Sequence, residues 1–281
     1  MSASSQPNDQ QAAHWNAAAG RTWVEMQERL DRLFAPIEAR VVDEGFPGQG
    51  GAVLDIGCGA GATTLAMARR LGPGGRCVGV DISQPLVDAA RRRAASEGLS
   101  GATFIAADAQ THAFEPAGFD AATSRFGVMF FSDPTAAFAG IRRAVRPGGR
   151  LVFAAWRSPA ENPFMTAAAR AAAPLLPDQP APDPDAPGQF AFAREDRIRT
   201  ILAGAGWREI EVQPFDVEAE LSERDLTDYV MKMGPVGLAL QELDPAARAP
   251  VAEAVLAAFA PFVRDGAARF TMACWLVKAR A

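Results

Sequence analysis

The run Ala52-Val53-Leu54-Asp55-Ile56-Gly57-Cys58-Gly59-Ala60-Gly61 constrains this chain more than any other stretch. An apolar segment ends in an acid, glycines follow at alternate positions, and a helical pattern runs from Ala62 to Leu71. That order reads as a buried strand, a tight turn and a helix start. Glycine is needed where the chain turns sharply and a ligand approaches the backbone. The helix N-terminus then presents unpaired N–H groups. Taken alone, the run predicts a site for an adenosine-type cofactor.

The pattern continues downstream. A second strand is expected over Arg76–Asp81, followed by a helix that Ser83 is placed to cap, with Pro85 in its first turn and Gly98 at its end. Ala102–Ala107 and Phe119–Ser124 read as the third and fourth strands. Asp133-Pro134 opens a helix, and Arg146-Pro147-Gly148-Gly149 leads into a fifth strand, Arg150–Trp156. Strand and helix alternate, which predicts right-handed βαβ units: an α/β, doubly wound, mostly parallel sheet.

Ahead of this core, residues 1–12 are expected to be mobile. Trp15, Trp23, Met26, Leu30, Leu33, Ile37 and Val41 recur at helical spacing, so residues 1–45 are read as an N-terminal helical lid in which Trp15 or Trp23 covers the cofactor. The core occupies 46–157. From Ser158 to Gln189 the chain holds eight prolines around a short alanine-rich segment, so 158–193 is read as an irregular insertion. Residues 194–218 return to the core with a helix and a strand over Glu209–Phe215. Residues 219–266 are read as a helical acceptor-side insertion, with helices over Leu221–Met233 and Ala246–Val263. Residues 267–281 supply the closing strand.

Composition excludes several classes. Apolar residues make up 49% of the 281, and the net charge is −5, which disfavours a nucleic-acid binder. Arg91-Arg92-Arg93 is read as a solvated helix face. No run reaches the ~20 apolar residues of a membrane span, and the polar N-terminus predicts a cytoplasmic protein. Cys58, Cys77 and Cys274 are far apart and lack metal spacing, so reduced thiols and no bound metal are expected. Oligomeric state, monomer or homodimer, is left open.

Three acids fall at the predicted carboxyl ends of successive strands: Asp55, Asp81 and Asp108. Ligands of open α/β sheets bind there. Asp81 lies where an acid accepts both hydroxyls of a ribose, a charge-assisted match of two oxygens to two donors. Asp108 is placed for an adenine amino group, and Asp55, beside the turn, for a cationic amine.

These segments, with Val80-Asp81-Ile82-Ser83, Ala107-Asp108-Ala109, Phe119-Asp120 and Arg146-Pro147-Gly148-Gly149, resemble the class I S-adenosylmethionine-dependent methyltransferases. Within that class the chain is most similar to the branch of ubiquinone and menaquinone biosynthesis C-methyltransferases. The likeness covers about residues 50–157. It implies seven strands in the order 3-2-1-4-5-7-6 with the last antiparallel, and S-adenosyl-L-methionine as the methyl donor. It also implies roles: Gly57, Gly59 and Gly61 against the methionine and sugar, Asp81 on the ribose, Ile82 on the adenine face. Asp108 and the Ala109 backbone would meet the adenine edge, and Ser124 would lie near the sulfonium.

A sulfonium methyl is already activated, so transfer needs chiefly an aligned nucleophile. The cation favours aromatic walls, for which Trp23, Phe126, Met129, Phe130, Phe131 and Trp156 are candidates. Where the acceptor must lose a proton, His14 and His112 are candidate bases. Arg125 either binds an anionic acceptor or pairs with a structural acid. A small-molecule, apolar or aromatic acceptor is expected. The alternatives are a protein or peptide acceptor, or an NAD(P)-dependent oxidoreductase, which Gly57-x-Gly59-x-x-Ala62 satisfies formally. Asp55, Asp108 and the Pro147-Gly148-Gly149 turn weigh against the oxidoreductase.

Overall fold

A computed structural model describes residues 8–176 and 183–281; residues 1–7 and 177–182, part of the expected mobile N-terminus and of the proline-rich insertion, lie outside the described residues. The sheet begins with β1 Ala52–Ile56, β2 Arg76–Asp81, β3 Ala102–Ala106, β4 Phe119–Arg125 and β5 Val145–Trp156. It is completed by β6 Arg208–Ser222, β7 Val263–Arg264 and β8 Ala267–Arg280. The order is β3-β2-β1-β4-β5-β8-β6, with the two-residue β7 paired to β8. Neighbours among the first five strands are parallel, while β8 runs antiparallel to both β5 and β6. The expected strand order therefore holds, with one small hairpin strand added.

The central strands are apolar on both sides because helices cover both faces. Val53, Leu54 and Ile56 of β1 and Cys77 and Val80 of β2 are buried. On one face α3 Ala62–Leu71 and α4 Gln84–Ser96 enclose Val53, Leu65, Leu71, Val87 and Phe104. The larger core contains α2 Ala18–Gly45 and α5 Pro134–Ala144, with Ile37, Phe138, Ile141 and Phe153 fully buried. Each such side chain contributes roughly 1.5–3 kcal/mol of burial free energy. The helical periodicity before β1 resolves into α1 Asp9–Asn16 and α2, broken at Ala17. Residues 9–12, expected to be mobile, belong to α1.

The C-terminal third departs further from expectation. After α6 Pro163–Ala172 and α7 Glu195–Gly204, β6 continues to Ser222, so 219–222 is strand and not helix. The physical reason is a period of two: Val217, Ala219 and Leu221 are buried while Glu218, Glu220 and Ser222 face solvent. Helix α8 is then Glu223–Lys232, followed by α9 Gly234–Glu242, which sequence reading did not anticipate, and α10 Pro245–Ala257. The last helix stops short of Val263 because Pro261 lacks an N–H. A hairpin follows instead: Asp265 and Gly266 have φ of 53° and 75°, as an Asp-Gly turn requires. Helices α6, α8, α9 and α10 pack on one another, and α8 and α9 also touch α2.

Candidate cofactor crevice

The turn after β1 is built from three glycines with three different duties. Gly57 (φ 65°) lies so close to the second turn, after β4, that a β-carbon would stand 2.5 Å from the Gly127 α-carbon. Gly61 (φ 89°) is pressed under α4, where a β-carbon would meet Ala90 and Phe104. Gly59 (φ 54°) alone looks onto open space. The Gly57 and Cys58 amides donate to Val80 O, at 2.8 and 3.1 Å. The turn is thus a rigid cradle with one bare position.

Asp81 closes its side. Its carboxylate accepts from Gly59 N at 2.8 Å and from Ser83 N at 2.9 Å, tying the glycine turn to the start of α4. Burial pushes its pKa up, and the Ser83, Gly59 and Ile82 amides oppose that rise. Asp108, past the tip of β3, accepts from Gln110 N at 2.9 Å and from Asn8 Nδ2 at 3.1 Å through one oxygen. Among the described residues its other oxygen meets only the Thr111 hydroxyl, at 3.5 Å. Two half-buried carboxylates and a bare glycine therefore lie at the tips of the neighbouring strands β1, β2 and β3.

Asp55 points the other way. It is 1% exposed and accepts from Thr64 Oγ1 at 2.6 Å and Thr123 Oγ1 at 3.3 Å. Burial raises its pKa to about 7, against the hydrogen bonds of Thr64 and Thr123 and the charge of Arg125. Ser124 is likewise a brace: its buried hydroxyl donates to Ile56 O at 2.7 Å and accepts from Gly127 N at 3.0 Å. Ile82 is half-buried, and Ala109 is buried beside Asp108.

Of the candidate bases, His14 is exposed at the edge of Trp15, and His112 is half-buried edge-on to Phe114. Arg125 lies between Asp31 (3.7 Å) and Glu38 (3.6 Å) of α2, over the Phe34 ring, which favours its structural-acid reading. Phe126, strained at φ 71°, stacks on Trp156 with centroids 4.3 Å apart, and Phe34 abuts both edge-on. Met129 and Phe131 are buried in the core. Trp23 and Phe130 are half-buried and flank Trp15.

Sequence reasoning missed what holds α1 in place. Ser83 donates to Trp15 O at 2.7 Å, so it does not cap α4 with its side chain. Asn16 donates to Ile82 O and accepts from Gln84 N, at 3.0 and 2.9 Å. Helix α1 therefore lies across the tips of β2 and β3. The available signal was a pair of asparagines, Asn8 and Asn16, bracketing an otherwise polar helix.

The fold and the acids at its strand tips resemble those of the class I S-adenosylmethionine-dependent methyltransferases. Residues 53–149 match the model of a methyltransferase domain. Nocamycin O-methyltransferase of Saccharothrix syringae is 38% identical over 119 residues, 42% of this chain and 42% of that protein. Aklanonic acid methyltransferase DauC of Streptomyces is 35% identical over 127 residues, 44% and 58% of the two chains. A demethylmenaquinone methyltransferase of Thermus thermophilus is 37% identical over 112 residues, 40% and 50%. The chain thus spans about half the length of the relatives it matches. The YcgJ protein of Bacillus subtilis shares the fold, with a TM-score of 0.57 at 18% identity, covering 86% of this chain and 97% of that one. Among the described residues no helix is long and apolar enough to cross a membrane.

Proposed function

We propose that the protein transfers the methyl group of S-adenosyl-L-methionine to a small apolar or aromatic acceptor. The observation that carries this reading is the pairing of Asp81 and Asp108 at neighbouring strand tips around the bare face of Gly59. The residues suit the cofactor: Asp81 keeps lone pairs for a vicinal diol, and the second Asp108 oxygen is open to an exocyclic amine. When bound, the cofactor supplies an electrophilic methyl. The chain's part is to hold the acceptor in line and exclude water.

The acceptor side is apolar. Trp23 of α2, Met165 of α6 and Met231 of α8, with Phe130, Phe190 and Met233 from connecting segments, are half-buried against the main core, a composition suited to a pocket wall. No base is assigned, because His14 is exposed and His112 sits at the adenine end. An acid or an acidic enol needs none, since its oxygen is already ionised at neutral pH. Two relatives are named as an O-methyltransferase and as acting on an acid, so aromatic acids and acidic enols lead the test panel.

The test is release of S-adenosylhomocysteine with that panel. Methyl transfer to one member, with Phe190→Ala or Met231→Ala raising its KM severalfold at constant cofactor KM, is the expected result. Equal loss toward both substrates would remove these residues from the acceptor wall. A peptide acceptor turned over in preference to every small molecule would replace the proposed class.

A further inference from the structure

Asn8 occupies the position that begins α1, with φ 69°, yet its side chain forms no bond to its own helix. Asparagine at such a position ordinarily caps the helix it precedes. Here the amide is only 9% exposed and is spent elsewhere. Its Nδ2 donates to Asp108 Oδ1 at 3.1 Å, and its Oδ1 accepts from Ser132 N at 2.9 Å. Gln110 spans the same gap, bonding the Ser132 hydroxyl and Asp133 N. The tip of β3 and the loop opening α5 are thereby held at a set separation.

The consequence falls on Asp108. Asn8 and the Gln110 amide both bind Oδ1, which fixes the carboxylate's rotation. Among the described residues, Oδ2 is left with one contact at the limit of a hydrogen bond, and the neighbouring Ala109 amide has no hydrogen-bond partner. An acceptor beside a donor is the complement of an adenine edge, which offers an amino group and a ring nitrogen.

We infer that Asn8 is a positioning residue for the cofactor's base: it turns Asp108 so that Oδ2 meets the 6-amino group, and makes the crevice selective for adenine. This rests on the methyltransferase reading above. A neutral amide suits the task, because an aspartate there would set a second carboxylate about 3 Å from Asp108. Asn16, at the far end of α1, contacts Ile82 and Gln84 and fastens the helix near the ribose instead.

The experiment compares S-adenosylhomocysteine with its hypoxanthine analogue, in which a 6-oxo group replaces the 6-amino group. Both are titrated calorimetrically into the full chain and its variants. The wild type is expected to favour the adenine form by about tenfold or more, as sites that pair with a substrate's N–H do. Asn8→Ala should cut that preference at least threefold, mostly by weakening the adenine form, and Asn8→Asp should weaken adenine binding further. Asn16→Ala should weaken both nucleosides alike and leave the preference intact. An unchanged preference in Asn8→Ala, or tighter binding of the adenine form, overturns the role of Asn8. A wild type that binds neither nucleoside overturns the methyltransferase reading, and this inference with it.

Discussion

Gly57 and Gly127 meet backbone to backbone: a β-carbon on Gly57 would lie 2.5 Å from the Gly127 α-carbon, and one on Gly127 would lie 2.6 Å from that of Gly57. The turns that follow β1 and β4 are therefore locked together. The crevice floor is rigid because no side chain separates them.

From this contact the glycines should separate by consequence. Gly57→Ala combines a left-handed φ with a collision that no flexible side chain can relieve. It should lower stability by about 3 kcal/mol or more, a Tm drop on the order of 6–12 °C. Gly59→Ala meets open space and carries only the cost of its φ, about 1–2 kcal/mol. It should remain folded but bind S-adenosylhomocysteine weakly. Thermal melts and titration of the two variants check this.

Asp55 predicts a pH dependence of stability. Burial holds its folded pKa at about 7, above the ordinary 3.8. The folded protein keeps a proton that the unfolded chain releases, so this contribution is full below about pH 4 and is lost as pH rises through 7. Its size is at most on the order of 4 kcal/mol. Asp55→Asn keeps an amide between Thr64 and Thr123 without a charge. Urea midpoints should fall from pH 5 to pH 8 in the wild type and fall less in the variant.

Ser83 gives up capping α4 to bind Trp15 O. Ser83→Ala should loosen α1 while costing only about 0.5–1.5 kcal/mol overall. Hydrogen exchange over residues 9–16 should accelerate, while α4 and β2 stay protected. Faster exchange across α4 as well would mean that the hydroxyl supports that helix instead.

The parallel core was legible because most of the local chemistry agreed with the fold. The glycine turn, Ser83-x-Pro85 and Asp133-Pro134 fall at element ends, whereas Pro147-Gly148-Gly149, expected as a turn, lies within β5 where its pairing with β4 shifts register. Asp81 and Asp108 could be placed from strand length alone. The direction of Asp55 could not, because its partners Thr64 and Thr123 come from two other elements. The extent of β6 was hidden by Pro214, which an edge strand tolerates. The Asp265-Gly266 hairpin was a readable signal that helical periodicity overrode. The fastening of α1 depends on tertiary hydrogen bonds from Asn8, Asn16 and Ser83, and its mark in the sequence, two asparagines eight residues apart, does not say which groups they meet.

The most direct measurement is calorimetric titration of the intact chain with S-adenosylhomocysteine, alongside NAD and the Asp81→Ala variant. The aspartates at the tips of β2 and β3 predict a single nucleoside site. Losing the Asp81 carboxylate should weaken it by about 1.5–3 kcal/mol, roughly 10- to 150-fold, and NAD should give no heat. Binding of NAD alone, or equal affinity for S-adenosylhomocysteine in wild type and Asp81→Ala, would contradict this assignment.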